Sequence, residues 1–487
     1  MGAGPAGLTA AYELTRRGAP VVVLEEDSQP GGLARTVTYK GFRFDIGGHR
    51  FFTKAAPVEA LWHEWMGEDL LKRPRLSRIY YRGKFFSYPL RPLNAVTNLG
   101  VFMSAAVFAS YLRAQLRPIR PEVSFEDWVT NRFGRKLFLT FFQSYTEKVW
   151  GIPCATIEAS WAAQRIQGLS LWTAIVGMFK TTGIKTLINE FEYPRLGPGM
   201  MWERCQVRVE RAGGRVRFGR RVTGFSLDGD RVSGVTVSGA DGRTETVPAS
   251  CVISTMPVRS LVRGLPDTPP VVREAADRLK YRDFITVALV IDRRDVFPDN
   301  WIYIHDADVR VGRVQNFKNW SPEMVPDDRY TCLGLEYFCS EGDDLWGMSD
   351  ASLVETARRE IVQIGLARAD EIVDGTVVRA RKAYPVYDSG YAAALDIVKG
   401  HLSRYENLFL VGRNGMHKYN NQDHSMLTAM LAVRNIFGAQ HDLWAVNADA
   451  AYHEDAATES DEAAYGRQLA ATEPRVPRAV SAEAEQT

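Results

Sequence analysis

The sequence has few of the features that mark disulfide-rich, zinc-binding or membrane-spanning proteins. Its 487 residues include five cysteines and no CxxC pair, which argues against a disulfide framework or a metal site. The longest apolar runs, at 101–112 and 169–179, are shorter than the roughly 20 residues that a membrane-spanning helix needs. Lysine and arginine number 60 against 58 acidic residues, so no excess of one charge attracts nucleic acid. These absences predict a cytoplasmic protein that binds no nucleic acid and has no stable membrane insertion.

Strand and helix patterns alternate in three separated parts of the chain, and other patterns lie between them. We expect one nucleotide-binding domain assembled from residues 1–56, 191–275 and 386–440. An aromatic-rich, helical pattern at 57–190 and a strand-rich pattern at 276–385 predict two inserted substrate domains, one helical and one with an antiparallel sheet. Residues 455–487 lack an apolar period and are expected to form a mobile tail. The predicted fold class is therefore α/β with two insertions.

A glycine-rich turn at the start of the chain predicts a dinucleotide site. Gly2, Gly4 and Gly7 match GxGxxG, in which glycine allows the tight turn, the close approach of a pyrophosphate and the packing of helix on strand. The helix that follows would direct its partial positive charge at the phosphates. Glu25 ends the next apolar run, where a carboxylate accepts hydrogen bonds from a ribose. The alternative is an ordinary turn between helix and strand.

A second glycine pair indicates FAD rather than NAD. Gly32, in Gly31-Gly32, lies shortly after Glu25, and Arg35 follows it with a guanidinium that can bind a pyrophosphate through two hydrogen bonds. Only Met1 precedes Gly2, so the apolar strand that normally leads into such a turn is missing. We therefore expect the native start to lie further upstream.

Further motifs carry a family resemblance that covers roughly residues 2–440. Asp45-Ile46-Gly47-Gly48-His49, Gly412-Arg413 and Asn421-Gln422-Asp423-His424-Ser425 resemble motifs of the UDP-galactopyranose mutase family. Lys148-Val149-Trp150 and Asn319-Trp320-Ser321-Pro322 are similar to the longer-chain mutases. This family shares its fold with protoporphyrinogen oxidase and amine oxidases, and the resemblance implies a Rossmann-like FAD-binding domain of the glutathione-reductase type.

The resemblance also implies which residues hold the flavin. His49 would lie at the reactive edge of the ring, and it could act through its side chain or through its backbone alone. The other implied cofactor residues are Gly47, Gly48, Val222, Gly412, Arg413, Gln422, Asp423 and Ser425.

Two arginines would bind the diphosphate of a nucleotide sugar. Arg165 and Arg313 match the spacing of the family's diphosphate-binding arginines, and Tyr391 and Tyr419 match tyrosines that hydrogen-bond the same phosphates. The alternative for a single arginine is a surface ion pair. The resemblance implies further substrate contacts at Tyr88, Arg91, Trp150, Trp301 and Tyr303. Arg91 stands where the longer-chain mutases have a glutamine, so the diphosphate site is better supported than the base site.

The resemblance implies a flavin-dependent mutase that interconverts pyranose and furanose forms of a nucleotide-diphosphate sugar, such as UDP-galactose, through an adduct between sugar and reduced-flavin N5. The catalytic residues would be Arg165, Arg313 and His49, with NAD(P)H as an external reductant. The sequence shows no Ser/His/Asp array and no paired carboxylates, which suits cofactor chemistry. The alternatives are an FAD-dependent oxidase or desaturase on the same fold, and a flavoprotein with a binding role only. A homo-oligomer stays open.

Overall fold

The computed structural model describes residues 1–88, 90–159 and 190–447, which form a mixed α/β fold. The helices are α1 (Pro5–Arg16), α2 (Ala56–Met66), α3 (Pro92–Leu99), α4 (Val101–Leu116), α5 (Phe125–Phe133), α6 (Arg135–Leu137), α7 (Gln143–Trp150), α8 (Gly199–Arg211), α9 (Val258–Gly264), α10 (Pro270–Arg278), α11 (Phe317–Trp320), α12 (Asp344–Gly347), α13 (Asp350–Gln363), α14 (Tyr391–Leu402), α15 (Gly412–Gly415) and α16 (Gln422–Ile436). The strands are β1 (Val22–Leu24), β2 (Thr36–Tyr39), β3 (Phe42–Asp45), β4 (Leu70–Pro74), β5 (Ser77–Tyr81), β6 (Lys84–Ser87), β7 (Glu190–Pro194), β8 (Arg215–Arg217), β9 (Arg220–Asp228), β10 (Arg231–Gly239), β11 (Thr244–Pro248), β12 (Val252–Ser254), β13 (Tyr281–Ile291), β14 (Trp301–Ile304), β15 (Arg313–Asn316), β16 (Thr331–Cys339), β17 (Ile372–Pro385) and β18 (Leu408–Leu410). Arg165 and the tail predicted from residue 455 lie outside the described residues.

Segments far apart in the sequence pair at the start of the chain. Strand β1 pairs in parallel with β8, and β12 pairs in parallel with β18. Met1 and Gly2 connect the two pairs: the amide of Gly2 donates to Leu24 O at 2.7 Å, and the amino group of Met1 donates to Ile253 O at 2.8 Å. Helices α8 and α16 pack against α1. One apolar core therefore combines residues from the beginning, the middle and the end of the chain.

A seven-stranded sheet forms a second part of the fold. Its strand order is β17-β13-β16-β15-β14-β5-β6. Neighbouring strands are antiparallel except β14 and β5, which run parallel. The predicted antiparallel sheet is thus a mixed sheet. Strand β16 is buried along its whole length, which explains its nearly continuous apolar sequence.

The expectation of a helical segment at 57–190 does not hold for residues 70–87. Strands β4, β5 and β6 lie there, and the last two extend the seven-stranded sheet. A two-residue turn at Arg82 and Gly83, with φ values of 50° and 73°, joins β5 to β6. Positive φ at both turn residues suits the right-handed twist of a hairpin. The sheet therefore contains strands from both predicted insertions.

The helical part of this segment begins after the hairpin. Ser124 caps α5: its hydroxyl accepts a hydrogen bond from the amide of Asp127 at 3.1 Å. Phe125, Trp128 and Phe133 of α5 are buried. No single helix among the described residues is long and apolar enough to cross a membrane, and only α3 and α4 together, bent by 119°, satisfy length and composition.

Candidate active site

The glycine turn, the start of α1 and the end of β1 meet at one place. The amide of Ala3 donates to Glu25 Oε2 at 2.5 Å, and the amide of Gly31 donates to Ala3 O at 2.8 Å. A methyl group at Gly7 would lie 1.9 Å from Gly2 O, so α1 packs directly on the turn. The structure thus brings together Gly2, Gly4, Gly7, Glu25 and Gly32, the residues predicted to bind the ADP part of a dinucleotide.

Two other predicted cofactor residues lie close to Glu25. The amide of Arg220 donates to Glu25 O at 2.7 Å, and Val222 follows two residues later on β9. Arg35 donates to Asp27 Oδ2 at 2.6 Å, so its guanidinium is held in an ion pair. A phosphate would compete with Asp27 for Arg35.

A second glycine turn lies where α1 and α16 begin. Gly412 has φ +80°, and a methyl group there would lie 3.1 Å from Ala6 Cβ and 3.9 Å from Ser425 Oγ. Gln422, Asp423 and Ser425 are all buried in the first turn of α16. Both amide atoms of Gln422 are buried without a hydrogen-bond partner among the described residues.

The loop Gly47-Gly48-His49, which follows β3, lies close enough to Arg413 for the two to interact electrostatically. The positive charge of Arg413 lowers the pKa of His49. The guanidinium of Arg413 is held in place by hydrogen bonds that it donates to Asn420 O at 2.9 Å and to Ala383 O at 3.0 Å. Burial is the main cause that lowers the pKa of His49 to about 3, and the cations Arg413 and Arg313 add to the effect. His49 is therefore neutral at pH 7.

Arg313 also lies close to this loop. A methyl group at Gly47 would lie 3.9 Å from Arg313 Nη2. Arg313 Nε donates to Glu336, a fully buried carboxylate that also accepts a hydrogen bond from Gln315 Nε2 at 2.8 Å. Burial raises the pKa of Glu336, and the nearby Arg313 opposes this rise. The acidic partner fixes one edge of the guanidinium while Nη2 lies on the side of Gly47.

Aromatic side chains surround Arg313 and Arg413. The ring of Tyr303 lies 4.9 Å from Tyr88 and 6.3 Å from Trp301, centroid to centroid. Trp150 lies 6.3 Å from Tyr419, and Arg413 lies over Tyr419 at 4.7 Å. The ring of Tyr391 contacts the ring of Tyr387, with 4.7 Å between their centroids. We call this group the aromatic box: Tyr88, Trp150, Trp301, Tyr303, Tyr384, Tyr387, Tyr391 and Tyr419.

The predicted substrate residues are therefore brought together, with two exceptions. Arg91 is exposed at the start of α3, and the structure gives its side chain no contact with the aromatic box. Arg165 lies outside the described residues. Trp301 is only 3% exposed and stacks on Trp320 at 5.4 Å, so most of its surface belongs to the core.

Comparison with known proteins identifies the family of this chain. The sequence profile for flavin-containing amine oxidoreductases matches residues 5–431. The chain belongs to that family. Its cofactor is FAD, and its fold is the mixed α/β fold of FAD-binding amine oxidases.

Among solved structures, reduced UDP-galactopyranose mutase is similar over 92% of this chain and 97% of its own, with a TM-score of 0.79 and 23% identity. Putrescine oxidase bound to putrescine is similar over 90% of this chain and 98% of its own, with a TM-score of 0.59 and 18% identity. These identities show a shared fold.

Two curated relatives match shorter parts of the chain. The inactive all-trans-retinol 13,14-reductase of Danio rerio is 57% identical over 47 residues, 10% of this chain and 8% of the relative. The lycopene-forming phytoene desaturase of Pantoea ananas is 28% identical over 270 residues, 50% of this chain and 52% of the relative. The chain thus spans about half or less of these relatives.

The residues of this flavoprotein fit FAD on their own chemistry. Helix α1 begins at Pro5 with no side-chain cap, which leaves its first amides to a phosphate. The amide group of Gln422 has buried polar atoms that lack protein partners in the described part of the chain. Glycine turns on both sides provide room where a side chain would collide.

Sequence reasoning missed several residues of this site. Tyr384 stacks on Tyr419 at 5.5 Å, and Tyr145 packs on Tyr303 at 5.5 Å. Neither tyrosine lies in a recognisable motif. Glu336 could have been noticed, because a single acid within the apolar strand Thr331–Cys339 needs a buried partner.

Proposed function

We propose that this flavoprotein is a nucleotide-sugar mutase that interconverts pyranose and furanose forms of a UDP-galactose-like substrate. The position of Arg313 carries the proposal. Its guanidinium lies beside the Gly47–His49 loop and is bordered by the aromatic box. A fixed cation next to the flavin loop suits a substrate that brings a diphosphate to the cofactor.

In this proposal Arg313 binds the diphosphate and stabilises its charge as it leaves. Glu336 holds the Nε edge, so the guanidinium is oriented before substrate arrives. Arg165 would supply the second cation from outside the described residues. Tyr391 and Tyr419 would donate hydrogen bonds to phosphate oxygens, and burial raises the pKa of Tyr391 to about 12, which keeps its hydroxyl protonated.

FAD, when bound and reduced, supplies a nucleophilic nitrogen for the anomeric carbon, and the reaction has no net change of oxidation state. NAD(P)H is the proposed external reductant. His49 is neutral at pH 7 because of its lowered pKa, so it acts as a hydrogen-bonding group and not as a proton donor from an imidazolium. The remaining task of the protein is to hold the sugar nucleotide in place and exclude water.

A second candidate is an FAD-dependent oxidase or desaturase. The aromatic box offers an apolar surface, and the partial match to a phytoene desaturase covers half of the chain. A substrate of this kind would need no fixed cation beside the flavin. Arg313 therefore supports the mutase as the first candidate.

The test uses the FAD-loaded protein without oxygen. The dithionite-reduced protein is incubated with UDP-galactose and with a panel of TDP-hexoses, and the products are separated by chromatography. The oxidised protein is the matched control. We expect furanose product only after reduction. Failure to form a furanose from any sugar nucleotide, combined with bleaching of the oxidised flavin by an amine or polyene, would assign the second candidate instead.

A further inference from the structure

An apolar, basic surface lies on helices α3 and α4. Four of its side chains are unusually exposed for their type: Leu93 at 74%, Val101 at 77%, Phe102 at 93% and Leu116 at 83%. Val101, Ala105, Phe108, Leu112 and Leu116 recur at intervals of three or four residues, so they form one outward stripe along α4.

The opposite side of α4 is fixed to the rest of the protein. Val107, Tyr111 and Ala114 are buried, and a methyl group at Gly134 would lie 2.7 Å from the amide nitrogen of Tyr111. Gln115 Nε2 donates to Asn131 O at 2.6 Å. The outward stripe therefore belongs to an anchored helix.

The charged side chains of residues 91–121 all have the same sign. Residues 91–121 contain no aspartate or glutamate and four arginines, Arg91, Arg113, Arg117 and Arg120. All four are exposed. Lys84 adds a further cation, because its ammonium group donates to Asn98 O at 2.6 Å at the end of α3.

From this combination we infer that α3 and α4 bind the surface of an anionic lipid bilayer. Exposed phenylalanine and leucine would enter the region between headgroups and acyl chains, and the arginines would contact lipid phosphates. A symmetric contact with a second copy would bring two basic faces together, which is unfavourable. A bilayer of anionic lipids satisfies both the apolar and the basic parts of the surface.

The same helices also reach toward the active site. Ala95 and Leu99 of α3 pack against an apolar cluster that includes Trp150 and also contacts Tyr88 and Tyr391 of the aromatic box. Docking on a bilayer would therefore place the membrane against helices that pack on the same apolar cluster as the aromatic box. The inference does not depend on the reaction, since lipid binding is measured without turnover.

The test is sedimentation of the FAD-loaded protein with vesicles of phosphatidylcholine containing about one-third phosphatidylglycerol. We expect binding to these vesicles, little binding to phosphatidylcholine alone, and weaker binding in high salt. Phe102→Ser with Leu116→Ser should weaken binding at least about tenfold. Arg113→Glu with Arg117→Glu should remove the preference for the anionic lipid.

Matched surface variants outside α3 and α4 are Val271→Ser, at a 58% exposed valine in α10, and Arg243→Glu, at a 90% exposed side chain between β10 and β11. Both should bind vesicles like the wild type. Equal binding to both kinds of vesicle, or unchanged binding by the Phe102/Leu116 variant, would overturn the inference. A dimer seen by light scattering that Phe102→Ser alone dissociates, without vesicle binding, would assign the surface to a second copy and also overturn it.

Discussion

Arg313 and Glu336 form a buried pair whose two members have different tasks. Glu336 is fully buried, while the guanidinium of Arg313 extends from the pair to the loop at Gly47. Removing either partner leaves the other charge buried alone, which typically costs about 3–5 kcal/mol. Because truncating Arg313 would lower both stability and activity, the two effects could not be separated. A substitution that keeps the positive charge tests the role in activity more directly.

We predict that Arg313→Lys lowers kcat/KM for a nucleotide sugar by roughly a hundredfold or more. Lysine keeps the charge opposite Glu336 but loses the planar fork that can bind Glu336 and a phosphate together. Flavin content and melting temperature should change little. Arg310→Lys, at an exposed ion pair with Asp344 three residues before Arg313, is the control and should keep normal turnover. Wild-type turnover in Arg313→Lys would contradict the role assigned to the guanidinium.

Asp45, two residues before the Gly47–His49 loop, gives a pH-dependent prediction. It is fully buried, and it accepts hydrogen bonds from Tyr193 at 2.5 Å and from Thr36 at 3.1 Å. Burial raises its pKa to about 7 against these donors. Between pH 4 and 7 the folded protein thus binds a proton that the unfolded chain has released, so this group lowers the stability as the pH rises.

Asp45→Asn should remove that dependence. Relative to the variant, the wild type should lose up to about 4 kcal/mol of unfolding free energy between pH 4 and 8. Urea unfolding at both pH values measures the difference. Asp396→Asn, at a side chain that is 75% exposed, should leave the pH dependence unchanged. Parallel stability curves for wild type and Asp45→Asn would show that Asp45 is ionised in the folded protein at acid pH.

At the scale of elements, the close contact of α1 with the first glycine turn supports the cofactor site. We predict that Gly7→Ala lowers the FAD content of the purified protein at least tenfold, because its methyl group would collide with Gly2 O and displace the helix start. The ratio of flavin to protein absorbance measures this. Gly400→Ala, in α14 with no atom within 4 Å of the added methyl group, is the control and should bind FAD normally. Full FAD content in Gly7→Ala would mean that α1 can shift without loss of the site.

Elements with a local signal were predictable from the sequence, and elements defined by distant contacts were less so. The glycine turn, Ser124 as a helix cap and strand Val252–Ser254 follow from neighbouring residues, and the structure contains them. The strands at 77–87 were missed because aromatic residues outweighed the turn at Arg82-Gly83. That the hairpin joins β14 could not be inferred, since its partner lies more than 200 residues away.

For the whole molecule too, prediction is limited because distant parts of the chain come together. The aromatic box takes residues from five separated parts of the chain, and only those within motifs could be named in advance. Tyr384 and Tyr145 enter the site through the packing of strands and helices that no short pattern records. The nearly neutral total charge also says nothing of the local excess of arginine on α3 and α4.

Helix α7 makes a further contact between the two predicted insertions, beside the pairing of β5 with β14. Lys148 Nζ donates to the carbonyl oxygens of Ile304 and Val311 at 3.3 Å each, and also to Asp306 O. Burial lowers the pKa of Lys148 to about 8, so the ammonium group is retained at pH 7. The three hydrogen bonds of Lys148 hold the loop between β14 and β15 in place. Strand β14 carries Tyr303, and β15 carries Arg313.

We therefore predict that Lys148→Met lowers the unfolding free energy by about 1–3 kcal/mol, because methionine cannot donate to these partly buried carbonyls. FAD content should stay normal, since Lys148 does not contact the predicted cofactor residues, whereas KM for a nucleotide sugar should rise as Tyr303 and Arg313 lose their fixed position. Urea unfolding and steady-state kinetics measure the two effects. Lys136→Met, at an exposed lysine, should change neither. A variant with reduced stability but an unchanged KM would show that β14 and β15 keep their positions without α7.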